Sequence, residues 1–138
     1  MDFKNIAQMF EHTTNKNKTK ELFVYKRNNS WIGLTGQDIA IAVEDISFGL
    51  RSLGIEEKSN IAILSNNSPR WAISDYGIIC SSMATVTIYP TLISNQIEFI
   101  LKDSNSKLVF VENQEQLTKI KECFDSCDTL KYIVVMDD

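Results

Sequence analysis

Thr85-Val-Thr-Ile-Tyr-Pro-Thr-Leu92 decides the architecture. Its first four residues are β-branched, which suits a pleated, buried strand. Tyr89-Pro90-Thr91 then ends that strand, because proline has no N–H to give a ladder and pre-sets the backbone of a turn. Upstream, Ile61-Ala-Ile-Leu64 is another apolar run, and Asn67-Ser-Pro-Arg-Trp-Ala-Ile-Ser-Asp75 follows it. Ser68 stands as a helix cap and Pro69 fits the first helical turn. Strand, helix and strand in succession put a loop at the carboxyl end of each of two consecutive parallel strands. Open α/β sheets place their ligands there. Tyr89, Pro90 and Thr91 are therefore the candidate ligand-facing residues. The plainer alternative is a boundary aromatic at Tyr89 and a strand-stopping turn at Pro90-Thr91.

The same beat continues outward. Leu108-Val-Phe-Val111 and Tyr132-Ile-Val-Val135 are further short apolar runs, and the four starts fall about 24 residues apart. Runs without polar alternation read as strands covered on both faces, as in parallel sheets. The spacing leaves one helix and two short loops per unit. Each gap carries a helical stripe: Ala72, Tyr76, Ile79, Cys80 and Met83; then Ile97, Ile100 and Leu101 behind a cap at Ser94; then Leu117, Ile120 and Phe124 behind Asn113. Right-handed crossovers turn this series into a doubly wound, mainly parallel α/β sheet with flanking helices.

Before the sheet, Ile6, Met9 and Phe10 mark a short amphipathic helix over residues 4–12, and Asn15-Lys-Asn-Lys-Thr-Lys20 reads as a solvated loop. Phe23-Val-Tyr25 and Trp31-Ile32, joined by Arg27-Asn-Asn-Ser30, predict a β-hairpin. Thr35 and Asp38 sit at capping-box spacing ahead of Ile39, Ala42, Val43, Ile46, Leu50 and Leu53, the strongest helical stripe in the chain. Gly54 supplies its stop. The expected organisation is one domain over residues 1–138, with residues 1–20 as an N-terminal helix and Lys/Asn loop.

With 138 residues, 43% of them hydrophobic, the chain has enough apolar material for a real core. A net charge of −4 argues against a nucleic-acid surface, which needs clustered Lys and Arg. No apolar run approaches the ~20 residues of a membrane span, and Met1-Asp-Phe-Lys4 is unlike a signal peptide. A soluble, cytoplasmic protein is expected. Cys80, Cys123 and Cys127 read as reduced structural thiols, with Cys123 and Cys127 spaced to share a helix face. The sole histidine, His12, is too remote in sequence to complete a metal site with them.

Several chemistries are excluded by what stands at the key turns. The turn after the first sheet strand is Ser65-Asn-Asn-Ser68, without the glycines of a dinucleotide fingerprint. None of the five glycines is arranged to wrap a triphosphate. His12 precedes the sheet, so no Ser/His/acid set is plausible. Asp137-Asp138 follows a strand, a placement open to a metal or phosphate-acceptor pocket, and is read in preference as a cut chain end. Asn66 and Asn67 are assigned to satisfying backbone groups in their loop, and Trp71 to packing. No residue is assigned as catalytic, and none as a metal ligand.

From Trp31 to Val111 the order of signals resembles the amino-terminal part of the adenylate-forming (AMP-binding) enzymes, most of all the long-chain fatty acyl-CoA synthetases. The matching pieces are Thr35-Gly-Gln-Asp38, Leu53-Gly54, Ile61-Ala-Ile-Leu64 and Asn67-x-Pro69-x-Trp71-x-x-x-Asp75. They continue with Ile88-Tyr-Pro-Thr-Leu92, Ile100-Leu-Lys-Asp-Ser104 and Lys107-Leu-Val-Phe-Val111. The chain departs from the family at Met83-Ala84, where Gly-Ala is usual, and at Thr87, where Pro is common.

The resemblance implies the N-terminal subdomain of an acyl-CoA synthetase-like fold. It also implies a parent enzyme that uses ATP, Mg²⁺ and CoA to convert a fatty acid to an acyl-adenylate and then to a thioester. The family's Ser/Thr/Gly-rich phosphate loop and its mobile-domain lysine are absent from these residues. The segment is therefore expected to be inactive alone and to bind no cofactor tightly. Its implied partner is the missing remainder of the ligase, and apolar surface left without that partner favours self-association. A self-contained flavodoxin-like binding or signalling module is the alternative.

Overall fold

A computed structural model describes residues 2–137; Met1 and Asp138, and with them the reading of Asp138 as a chain end, lie outside the described residues. The described residues pack into two compact units, one within residues 1–54 and 68–81, the other within residues 55–67 and 82–138.

The first unit opens with α1 (Ile6–Lys16), capped by Asn5, whose side chain accepts from the Gln8 N–H. The helix runs four residues past the expected end. Thr14 is buried and its hydroxyl donates back to the Phe10 carbonyl at 3.0 Å, which lets a β-branched polar residue remain helical. The hairpin is β1 (Glu21–Arg27) against β2 (Ser30–Thr35), antiparallel. Asn28 and Asn29 form its two-residue turn with φ of 49° and 63°, both left-handed, as a type I′ turn requires.

α2 (Gly36–Ser52) begins at a complete capping box. Asp38 N–H donates to Thr35 Oγ1 at 3.2 Å, and the Thr35 N–H and hydroxyl donate to the Asp38 carboxylate at 2.9 and 2.6 Å. The helix ends at Gly54, φ +71°, where a Cβ would be strained. α3 (Pro69–Cys80) has Ser68 as its cap, accepting from Trp71 N–H at 3.1 Å, and proline in its first turn. Ile39, Val43 and Ile73 form the buried heart of this unit, and Phe10 and Tyr76 stack beside it with ring centroids 4.6 Å apart. Where α2 and α3 meet, Gly77 lies so close to Ile46 that an added Cβ would stand 2.4 Å from its Cγ2.

The second unit is a four-stranded parallel sheet: β3 (Asn60–Leu64), β4 (Ala84–Ile88), β5 (Leu108–Val111) and β6 (Tyr132–Val135), in the order β4-β3-β5-β6. All four runs expected as co-directional neighbours are so. The order reverses between β3 and β5, as in doubly wound sheets. α4 (Ser94–Asp103) and α5 (Gln114–Cys123) bury Ile97, Leu101, Ile120 and Cys123 with Ala62, Leu64, Val109 and Val111.

Two further local expectations change. The cap position of α4 is Ile93, not Ser94: Gln96 Oε1 accepts from the Ile93 N–H at 3.3 Å, and the Ser94 hydroxyl is spent on the Glu122 carboxylate. Cys123 and Cys127 do not share a helix, because α5 ends at Cys123 and a 3₁₀ turn over Phe124–Ser126 intervenes. Both are buried free thiols, and burial pushes Cys123 up to about 11. Met83 is buried at 7% exposure.

The helical glycines should respond with opposite signs. Gly77→Ala overpacks Ile46 at a cost of about 1–3 kcal/mol, more than the ~1 kcal/mol that alanine gains in a helix interior. Gly49→Ala meets nothing within 4 Å and should stabilise. Urea unfolding midpoints of the two variants check this.

Acid should act through the box at Thr35. The Thr35 hydroxyl and N–H hold the exposed Asp38 carboxyl below its ordinary range. Its stabilising contribution is therefore present at neutral pH and is lost as pH falls through that lowered value. Asp38→Asn should flatten this part of the stability profile below about pH 4, measured by thermal unfolding across acid pH.

Candidate functional site

The carboxyl ends of β3, β4 and β5 carry three loops, and the sheet order sets their neighbours. Parallel pairing aligns Leu64 with Ile88 on one side and with Val111 on the other. The loop after β3 therefore lies between the loop after β4, which holds Tyr89, Pro90 and Thr91, and the turn after β5.

Tyr89-Pro90-Thr91 leaves the end of β4 as expected. Leu92 N–H donates to the Tyr89 carbonyl at 3.1 Å, closing a turn with proline at its second position. Tyr89 is 78% exposed, Thr91 is exposed, and Leu92 packs on the core below. The turn thus presents an aromatic ring and a hydroxyl outward on an apolar footing.

Two side chains of α5 reach this segment. Lys119 Nζ donates to the Pro90 carbonyl at 2.5 Å and pairs with Glu115 at 3.5 Å, while Glu122 accepts from the Ser94 hydroxyl. No local sequence signal marks these contacts, since Lys119 and Pro90 are 29 residues apart.

Between β3 and β5 the crevice is closed by a polar clamp. Asn66 donates to one Glu112 carboxylate oxygen twice, from its backbone N–H at 2.9 Å and from Nδ2 at 2.8 Å. Ser65 Oγ donates to the Asn66 carbonyl at 2.7 Å. Asn66 was expected to serve its own loop; its side chain instead ties that loop to the end of β5. A carboxylate at this crevice repels an incoming phosphate, and no glycine offers N–H groups to offset it. This crevice does not fit a nucleotide phosphate.

Among the described residues no three His, Cys, Asp or Glu side chains gather as a metal site, and no helix is long and apolar enough to cross a membrane. His12 lies beside Phe3, the rings tilted by 48° with centroids 5.4 Å apart. Cys80, Cys123 and Cys127 are all raised above the ordinary thiol range, chiefly by burial, so they stand protonated at neutral pH. A groove of about 800 Å³ in the first unit, lined by residues including Phe10, Ile41, Ser47 and Phe48, contains none of Tyr89, Pro90 or Thr91. None of the three thiols among the described residues is lowered toward a thiolate.

Comparison with known proteins bears on the family and the fold. The chain is 29% identical over 133 residues to the long-chain-fatty-acid–CoA ligase FadD15 of Mycobacterium bovis, covering 94% of this chain and 22% of that protein. It is 26% identical to the long-chain-fatty-acid–CoA ligase ACSBG1 of Rattus norvegicus, covering 96% of this chain and 18% of the relative. The chain thus spans about a fifth of the length of the curated relatives it matches.

Among solved structures, the anthranilate CoA ligase AuaEII in complex with anthranoyl-AMP superposes with a TM-score of 0.85 at 22% identity, over 97% of this chain and 25% of that one. A Mycobacterium tuberculosis fatty acyl CoA synthetase gives a TM-score of 0.82 at 23% identity, over 96% and 26%. At that identity these two show a shared fold. Residues 10–138 match the AMP-binding enzyme family, and the chain belongs to it.

Proposed function

We propose that this chain is the N-terminal segment of an ATP-dependent long-chain fatty acyl-CoA synthetase, and that it supplies scaffold and ligand-facing surface but no reacting group. The observation that carries the reading is the family match across residues 10–138, together with relatives about five times longer whose names specify long-chain fatty acids. The flavodoxin-like alternative of separate ancestry falls with that match.

In the whole enzyme a fatty carboxylate attacks the α-phosphate of ATP, pyrophosphate leaves, and the acyl group then passes to the CoA thiol. Such in-line attack is dominated by positioning and charge neutralisation. Mg²⁺ would supply part of that neutralisation, held by residues other than those described here. The part of this chain is the turn Tyr89-Pro90-Thr91, which lies at the carboxyl end of β4, exposed and held from α5. We assign it the lining of a ligand surface completed by the remainder of the ligase, without tight cofactor binding by the segment itself.

That remainder is the principal partner, and the fatty acid is the substrate of the parent. Exposed Tyr89, Ile93, Phe99 and Val135 give the isolated segment apolar surface for self-association. The three free thiols accord with a reducing, cytoplasmic setting, and the acidic balance with the absence of a nucleic-acid partner.

The 138-residue chain incubated with ATP, Mg²⁺, palmitate and CoA should release no AMP above the protein-free blank. Sustained AMP and palmitoyl-CoA formation by this polypeptide alone would place reacting groups inside it and overturn the proposal.

A further inference from the structure

The Tyr89-Pro90-Thr91 turn is held by a cation from another helix, and that contact has no counterpart in the local sequence. Lys119 sits in the middle of α5, its side chain 21% exposed, with Nζ 2.5 Å from the Pro90 carbonyl and 3.5 Å from Glu115. Pro90 lies inside the turn closed by the Leu92 N–H and Tyr89 carbonyl. Three residues along the same helix face, Glu122 accepts from Ser94 at the start of α4. One stripe of α5 thus grips both ends of the segment linking β4 to α4, with a donor at Pro90 and an acceptor at Ser94.

The grip matters because the turn has little else to fix it. Tyr89 and Thr91 are exposed, and Leu92 packs the far end of the turn on the core. A charge-assisted hydrogen bond to a carbonyl is stronger than a neutral one, and a long flexible stem ordinarily leaves its ammonium in water. Here Glu115 aligns the stem, and the ammonium lands on the one backbone oxygen between Tyr89 and Thr91.

We infer that Lys119 is a positioning residue: it fixes the Pro90 carbonyl, and through it the orientation in which Tyr89 and Thr91 face their ligand. This deepens the assignment of that turn as ligand-lining, and its ligand consequence rests on that assignment.

Amide hydrogen exchange of the full 138-residue chain, read residue by residue without ligand, tests the positioning directly. In Lys119→Met, which keeps the apolar stem and removes the donors, the Leu92 amide should exchange about tenfold faster. The amides of Val109 and Val111 in the sheet should be unchanged, and Lys119→Arg should restore most of the protection at Leu92. Unchanged Leu92 exchange in Lys119→Met overturns the inference. So does acceleration spread equally over Leu92, Val109 and Val111, which would mark general stability, and so does failure of Lys119→Arg to rescue. Because no ligand is present, a turn held by Lys119 that binds nothing would sink the ligand assignment and leave the positioning standing.

Discussion

The backbone ladder of β3 constrains everything that follows. Its residues from Ile61 to Leu64 are fully buried and pair in parallel with β4 on one side and β5 on the other. A buried strand can leave none of its N–H and C=O groups unpaired without a cost comparable to a lost hydrogen bond. It therefore requires a neighbour on each edge, and the chain supplies them out of sequence order. That ordering aligns the ends of three strands and brings the loops after them side by side. The Asn66–Glu112 clamp and the Lys119–Pro90 contact are consequences of that alignment, because each joins residues that only the parallel register makes neighbours.

The sheet was legible because its signal is local. Central parallel strands must be apolar on both faces, so β3 and β5 stand out as continuous runs. Ser68, Pro69, Asn113 and the Thr35–Asp38 pair announce helix starts through side chains that act within three residues. Asn28-Asn29 tolerates left-handed backbone, and the hairpin turn follows.

Three of the departures arise where a polar side chain takes a hydrogen-bond partner that the apolar pattern of the sequence does not announce. Thr13 and Thr14 look like helix enders, yet each hydroxyl bonds the carbonyl four residues back, and α1 continues to Lys16. Ser94 has the chemistry of a cap but spends its hydroxyl on Glu122. Asn66 is drawn to Glu112 from 46 residues away. In the candidate site, proline after a strand gave away the turn itself; the cation that holds it sits within an ordinary solvent-facing helical pattern and has no period to betray it.

The proposed part of this chain is placement: among the described residues two of the three thiols are buried, the histidine lies beside an aromatic ring and the Glu112 carboxylate is engaged by two donors, while the turn at Tyr89-Pro90-Thr91 presents an exposed aromatic ring. The most direct measurement titrates the isotope-labelled 138-residue chain with CoA and, separately, with ATP, while following its backbone amides. The account requires weak, fast-exchange shifts concentrated at Tyr89, Thr91 and Leu92 with at least one of the two. Shifts elsewhere only, or none at saturating concentrations of both, would contradict it.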